Sequence, residues 1–160
     1  MNGPTARGGP RGILLTRAFG ALRERVWDEW TQPERFAEWY GGREMDVPEA
    51  SVAMDVREGG EWRATMFVGP DRSELRFWGR YLEVVRPKLL VFTLRDQSDE
   101  DDELVTVVLS DLGGSDTEMI FRQRGSLPDA TYEQAEKGWS SFFDVMADRL
   151  GRGGDNPPVT

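Results

Sequence analysis

The chain has 160 residues, enough for one domain with a core of its own and no need of staples. Lys and Arg number 20 against 29 Asp and Glu, for a net charge of −9, and there is no histidine and no cysteine. These zeros exclude disulfides, Cys or His nucleophiles, a Ser-His-Asp triad, an imidazole base, and zinc, haem or iron–sulfur sites built on Cys or His.

Residues 1–12 and 151–160 are rich in Gly and Pro with little to bury, and are expected to be flexible tails around a single domain spanning 13–150. Ile13–Phe19 reads as a strand. Leu22, Val26 and Trp30 step by four, with Trp27 alongside, and form one face of a short amphipathic helix. Thr31-Gln32-Pro33-Glu34 fits a capping box with Pro33 in the first turn. It opens a second short helix carrying Phe36, Trp39 and Tyr40, which Gly41-Gly42 ends.

From there the period becomes two. Val52–Val56 is expected as a strand, and Glu58-Gly59-Gly60 as a turn. Trp62, Ala64, Met66 and Val68 alternate with Arg63, Thr65 and Phe67 in the next strand. Glu74–Val85 is a long strand stopped by Arg86-Pro87, and Leu89–Leu94 is a nearly continuous apolar run. Asp96–Glu103 holds six carboxylates in eight residues and is expected to be a solvated hairpin loop. Leu104–Leu109 and Glu118–Gln123 are two further strands. In the last segment Ala135, Trp139, Phe142, Phe143, Met146 and Leu150 recur at three- and four-residue steps, which makes a long helix with one apolar face.

Strands grouped together with helices to one side define an α+β fold. An antiparallel sheet with one wet face needs a cover on the other, and the C-terminal helix has the apolar face to supply it. A curved sheet closed over one helix leaves room for a cavity between them.

Several phrases, in order, carry a resemblance. They are Val26-Trp27-Asp28-Glu29-Trp30-Thr31-Gln32-Pro33-Glu34, Trp39-Tyr40-Gly41, Asp55-Val56-Arg57-Glu58-Gly59-Gly60-Glu61-Trp62-Arg63, Gly79-Arg80-Tyr81-Leu82-Glu83-Val84-Val85-Arg86-Pro87, Leu89-Leu90-Val91-Phe92-Thr93 and Gly138-Trp139. Together they span about Leu15 to Leu150, and the chain resembles the START-like, helix-grip SRPBCC superfamily. Within it, the chain is similar to the branch named for the activator of the heat-shock-protein ATPase, which includes polyketide-cyclase-like proteins. The resemblance implies a helix-grip fold: a curved antiparallel sheet of six or seven strands wrapped around a long C-terminal helix, two short helices after the first strand, and a deep pocket between sheet and helix. It implies no single chemistry, because the superfamily serves lipid carriers, ligand binders, aromatic cyclases and co-chaperones, and fold does not fix function.

The candidate pocket lining is Trp39, Trp62, Met66, Phe77, Tyr81, Phe92, Phe121, Trp139 and Phe143, with Trp30 close to them in pattern. The competing reading of each is plain core. Parity on 74–85 groups Phe77, Gly79, Tyr81 and Glu83 on one face and Trp78, Arg80 and Leu82 on the other. With Phe77 and Tyr81 inward, Gly79 thins the wall, and Glu83 and Tyr81 are the catalytic candidates. A structural ion pair of Glu83 with an arginine such as Arg63, Arg80 or Arg122, or a strand-end position in water, is the plainer account. Gly138 inside a helix costs about 1 kcal/mol against alanine, so close packing there is expected.

Any metal would need carboxylates alone, and the run 99–103 lacks the glycine and spacing of a calcium loop, so no metal and no cofactor are expected. Arg7, Arg11 and Arg17 are expected to be solvated. The acidic balance opposes a phosphate backbone, so no nucleic-acid partner is expected. The absence of any run of about 18 apolar residues argues against a membrane span. Residues 1–12 do not read as a signal peptide, which makes a cytoplasmic, bacterial-looking protein the expectation. Binding of a hydrophobic or aromatic small molecule is the first functional reading. A cyclase or dehydratase, or a co-chaperone domain with a chaperone partner, are the alternatives, and a homodimer is left open.

Overall fold

A computed structural model describes residues 12–151. The expected tails therefore lie outside the described residues, except that Gly12 opens the first strand and Gly151 closes the last helix. The elements run β1 (Gly12–Phe19), α1 (Arg23–Thr31), α2 (Pro33–Trp39), a 3₁₀ turn (Glu49–Ser51), β2 (Ala53–Met54), β3 (Glu61–Val68), β4 (Ser73–Val85), β5 (Leu89–Asp96), β6 (Glu103–Gly113), β7 (Asp116–Arg124) and α3 (Asp129–Gly151).

The strands form one curved antiparallel sheet of seven, in the order β1-β7-β6-β5-β4-β3-β2. β2 to β7 are laid down as consecutive neighbours, and β1 returns to the far edge to pair with β7 from Gly12–Arg124 to Phe19–Thr117. The expected α+β helix-grip architecture is thus present. The expected strand over 52–56 is shorter, two residues paired to β3, because the chain leaves the ladder at Asp55 for the turn before Gly60.

The helical entry differs in detail from the capping-box expectation. Thr31 ends α1 rather than capping α2, and its hydroxyl donates back to the Trp27 carbonyl at 2.9 Å. Gln32 sits at the boundary with no side-chain cap, and Pro33 starts α2 at a position where its missing N–H costs nothing. Leu22, expected on the apolar face, precedes α1 and is exposed. Gly41 and Gly42 both have positive φ, which lets the chain turn sharply after Tyr40.

The core lies between the inner face of the sheet and the three helices. Trp30 is at its centre, with ring contacts to Phe36, Trp39, Phe92, Phe121, Trp139 and Phe143. α3 buries Tyr132, Trp139, Phe142, Phe143, Met146 and Leu150 against it, the face its periodicity marks. Burial of such rings supplies about 25 cal/mol per Å2 of apolar surface removed from water. Their indole N–H groups are paired as well. Trp30 donates to Met119 Sδ at 3.4 Å, Trp39 to the Glu29 carbonyl at 2.9 Å and Trp139 to Gln123 Oε1 at 2.9 Å.

Two charged groups are placed against expectation, and a third, Glu29, is buried where no expectation was set. Arg17 is on the inner face of β1, where it donates to the Ser140 carbonyl at 2.9 Å and pairs with Asp144 at 3.0 Å, pinning β1 to α3. Glu103, expected in the solvated acidic loop, is buried at the start of β6. It accepts from Tyr132 Oη at 2.8 Å, Gln123 Nε2 at 3.2 Å and the Ser126 N–H at 3.2 Å. Glu29, on the buried side of α1, accepts a two-pronged contact from Arg149 at 2.8 and 3.0 Å, with Arg35 at 3.6 Å. That ion pair ties α1 to the end of α3. No helix among the described residues is long and apolar enough to cross a membrane.

Candidate functional site

β3 brings Trp62, Ala64 and Met66 to the inner face, as the alternation expects. On β4, Phe77 and Tyr81 point inward too, but the strand then changes parity. A register shift between Tyr81 and Glu83 inserts one extra residue, so Tyr81 pairs with Phe92 and Glu83 with Val91. Glu83 is thereby turned to the outer face and exposed, and Val84 takes the inward place opposite Leu90. The expectation of a carboxylate on the inner face is corrected on this point. Among the described residues Glu83 makes no ion pair with Arg63, Arg80 or Arg122, and Arg80 pairs with Glu61 instead, at 3.4 Å.

A slot of about 10 Å3 lies where α1, α2 and β2 meet the sheet. Its walls are Trp30, Phe36, Met54, Trp62, Tyr81, Leu90 and Phe92, contributed by six elements and devoid of any carboxylate or cation. Trp62, Tyr81 and Phe92 are the anticipated lining residues that it collects. Met54, Phe36 and Leu90 were not singled out from sequence, because nothing local distinguishes them from other core positions.

The remaining anticipated residues are elsewhere. Trp39, Phe121, Trp139 and Phe143 pack as a ring cluster around Trp30 and fill the region between sheet and α3 where a deep pocket is expected. The free space therefore lies nearer the short helices than the C-terminal one. Met66 is buried further along β3, and Phe77 packs edge-on against Tyr40 at 5.5 Å.

Burial pushes the Tyr81 hydroxyl well above the ordinary tyrosine range, and the negative charge of Asp55 adds to it. Tyr40 is raised in the same way, by burial first and by Asp96 second. Both rings are therefore neutral hydrogen-bonding groups, not bases. Among the described residues no three acidic side chains gather to hold a metal ion.

Gly79 is the thin point of the wall. A Cβ there would lie 1.8 Å from the Thr93 carbonyl oxygen and 2.6 Å from Trp62 Nε1. The indole of Trp62 occupies that space and donates to Thr93 O at 3.0 Å, and the Arg80 N–H turns to the Thr93 hydroxyl at 2.9 Å. Gly138, by contrast, has no close neighbour: a Cβ would meet only the Phe142 ring, at 4.0 Å.

A long C-terminal helix gripped by a seven-stranded antiparallel sheet, with two short helices after β1, is the helix-grip fold of the START-like superfamily. The sequence profile of the Activator of Hsp90 ATPase homolog 1-like protein family matches residues 21–151, and the chain belongs to that family. Among solved structures, it is similar to a protein of Chromobacterium violaceum, with 25% identity over 89% of this chain and 99% of the other and a TM-score of 0.75. It is also similar to the AHSA1 protein of Silicibacter pomeroyi, with 22% identity over 87% and 96% of the two chains and a TM-score of 0.76. A Rhodobacter sphaeroides protein gives 22% identity over 88% and 91%, with a TM-score of 0.76. No curated protein matches the chain.

Proposed function

We propose that the chain is a binding module for a small hydrophobic or aromatic molecule, taken up where α1, α2 and β2 meet the sheet. The observation that carries this is the composition of the slot: seven apolar or aromatic walls and no ionisable group apart from the buried Tyr81. Ligand sites are largely apolar with few polar groups, whereas acid–base catalysis needs two or more converging titratable ones. With Glu83 on the outer face, Tyr81 stands alone, and binding is favoured over a cyclase or dehydratase reaction.

At about 10 Å3 the slot holds no more than a water-sized volume, so a ligand enters by displacing side chains. The element best suited to yield is β2. It is two residues long, sits at the sheet edge and pairs with β3 alone. Met54, on that strand, is unbranched and adaptable, so its movement enlarges the slot at little cost.

Titration with 2-naphthol, followed by methyl NMR of Met54 and Leu90, tests the reading. Saturable shifts at both residues are expected, with tighter binding in Met54→Ala, read there at Leu90 alone. No saturable binding to either protein, or shifts confined to the outer face of the sheet, would overturn it.

A further inference from the structure

The outer face of the sheet carries a second feature, which shares only Trp62 with the slot. Trp78 on β4 is directly opposite Arg63 on β3 and directly opposite Arg95 on β5. Arg80 follows two residues along the same strand and face. A tryptophan is thus bracketed by arginines across three strands, in a chain whose net charge is −9. Trp78 is 40% exposed, unusual for so large an apolar ring.

These side chains line a groove of about 440 Å3, which also takes in Glu61 and Asp102. The volume falls in the range of small-molecule sites. Two arginines already have carboxylates: Arg80 has Glu61 at 3.4 Å and Arg95 has Asp102 at 2.9 Å. Arg63 has no ion-pair partner among the described residues. Like charges on neighbouring strands repel, and the arrangement leaves one guanidinium fork open beside an exposed indole. A guanidinium fork matches a carboxylate with two parallel N–H···O bonds, and an indole face matches a planar ring.

We propose that this groove binds a small planar aromatic carboxylate, its ring on Trp78 and its carboxylate on Arg63. The groove and the apolar slot open on opposite faces of the sheet and share one lining residue, Trp62, beside the thin point at Gly79. The groove's occupant differs in kind, since the slot takes uncharged groups and the groove requires an anion.

The probe is 2-naphthoate, titrated into the intact protein and read by the indole N–H signals in a nitrogen–proton NMR spectrum. The Trp78 signal, assigned by its loss in Trp78→Phe, is expected to move saturably while that of the central Trp30 stays in place. Arg63→Gln is expected to weaken binding about tenfold, the loss of one charge-assisted contact. Trp78→Ala is expected to weaken it about fivefold. Binding should fall as salt is raised, and neutral 2-naphthamide should bind about tenfold more weakly than naphthoate. An unchanged affinity in Arg63→Gln, or shifts centred on Trp30, would overturn the proposal. So would a salt-sensitive dimer in sedimentation that Trp78→Ala dissolves, because the groove would then be an interface between copies.

Discussion

Trp62 donates from Nε1 to the carbonyl oxygen of Thr93 at 3.0 Å, reaching across the intervening strand over Gly79. Three strands are locked by one indole, and the lock exists only because β4 has no side chain at that point. Gly79→Ala puts a Cβ 1.8 Å from a backbone oxygen, which no rotamer change relieves. It is expected to cost at least about 3 kcal/mol in urea unfolding, the upper end of overpacking effects. Trp62→Phe keeps most of the packing, loses the hydrogen bond and should cost about 1–3 kcal/mol. A Gly79→Ala protein as stable as the parent would mean that β4 does not approach Thr93 so closely.

Gly138 behaves in the opposite way. Its backbone is helical and a Cβ would find ordinary van der Waals distance to Phe142. Gly138→Ala should therefore stabilise the protein by about 0.5–1 kcal/mol, with a rise in Tm, through helix propensity alone. A fall in Tm would show that the position is packed more tightly than the 4.0 Å contact indicates.

The Glu29–Arg149 pair is a buried link between distant elements. Removing the carboxylate by Glu29→Ala is expected to cost about 3–5 kcal/mol, as for other one-sided breaks of buried pairs. Glu29→Leu combined with Arg149→Met should recover most of that loss, since two apolar side chains leave no charge to solvate. A double variant as unstable as the single one would point to packing, not charge, as the source of the cost.

Stability should also decline at alkaline pH. In the unfolded chain tyrosine loses its proton near pH 10, whereas burial holds Tyr40 and Tyr81 protonated well above that in the folded protein. Above about pH 10 the unfolded state thus binds fewer protons, and each tyrosine lowers stability by about 1.4 kcal/mol per pH unit. Below that pH the contribution is constant. Denaturant melts at pH 9, 10 and 11 should show the decline. Tyr40→Phe and Tyr81→Phe should each remove one share of the slope, and an unchanged slope in both would contradict the placement of these hydroxyls.

Much of this architecture is legible from local pattern. The alternation of Trp62, Ala64 and Met66 places β3 correctly, and the three- and four-residue steps from Trp139 to Leu150 mark the buried face of α3. Gly79 flags the thin point of the sheet. Glu83 could not be placed in the same way, because parity holds only while register does and the bulge after Tyr81 reverses it. Glu29, Glu103 and Arg17 escaped for another reason. Their partners Arg149, Tyr132 and Ser140 are 120, 29 and 123 residues away, so charge alone reads as solvated. Which of the anticipated residues border the slot was not legible, because filling by Trp30, Phe121, Trp139 and Phe143 depends on ring placement, and ring placement is a property of the packed core.

The central claim is that the chain carries an apolar ligand beside β2. The most direct measurement is native mass spectrometry of the protein purified from its own host, with denaturing analysis of whatever is released. The account gives a stoichiometric apolar or aromatic molecule, absent from a protein in which Leu90→Phe narrows the slot. Protein that is empty from its host, and that stays empty when offered apolar extracts of that host, would contradict it.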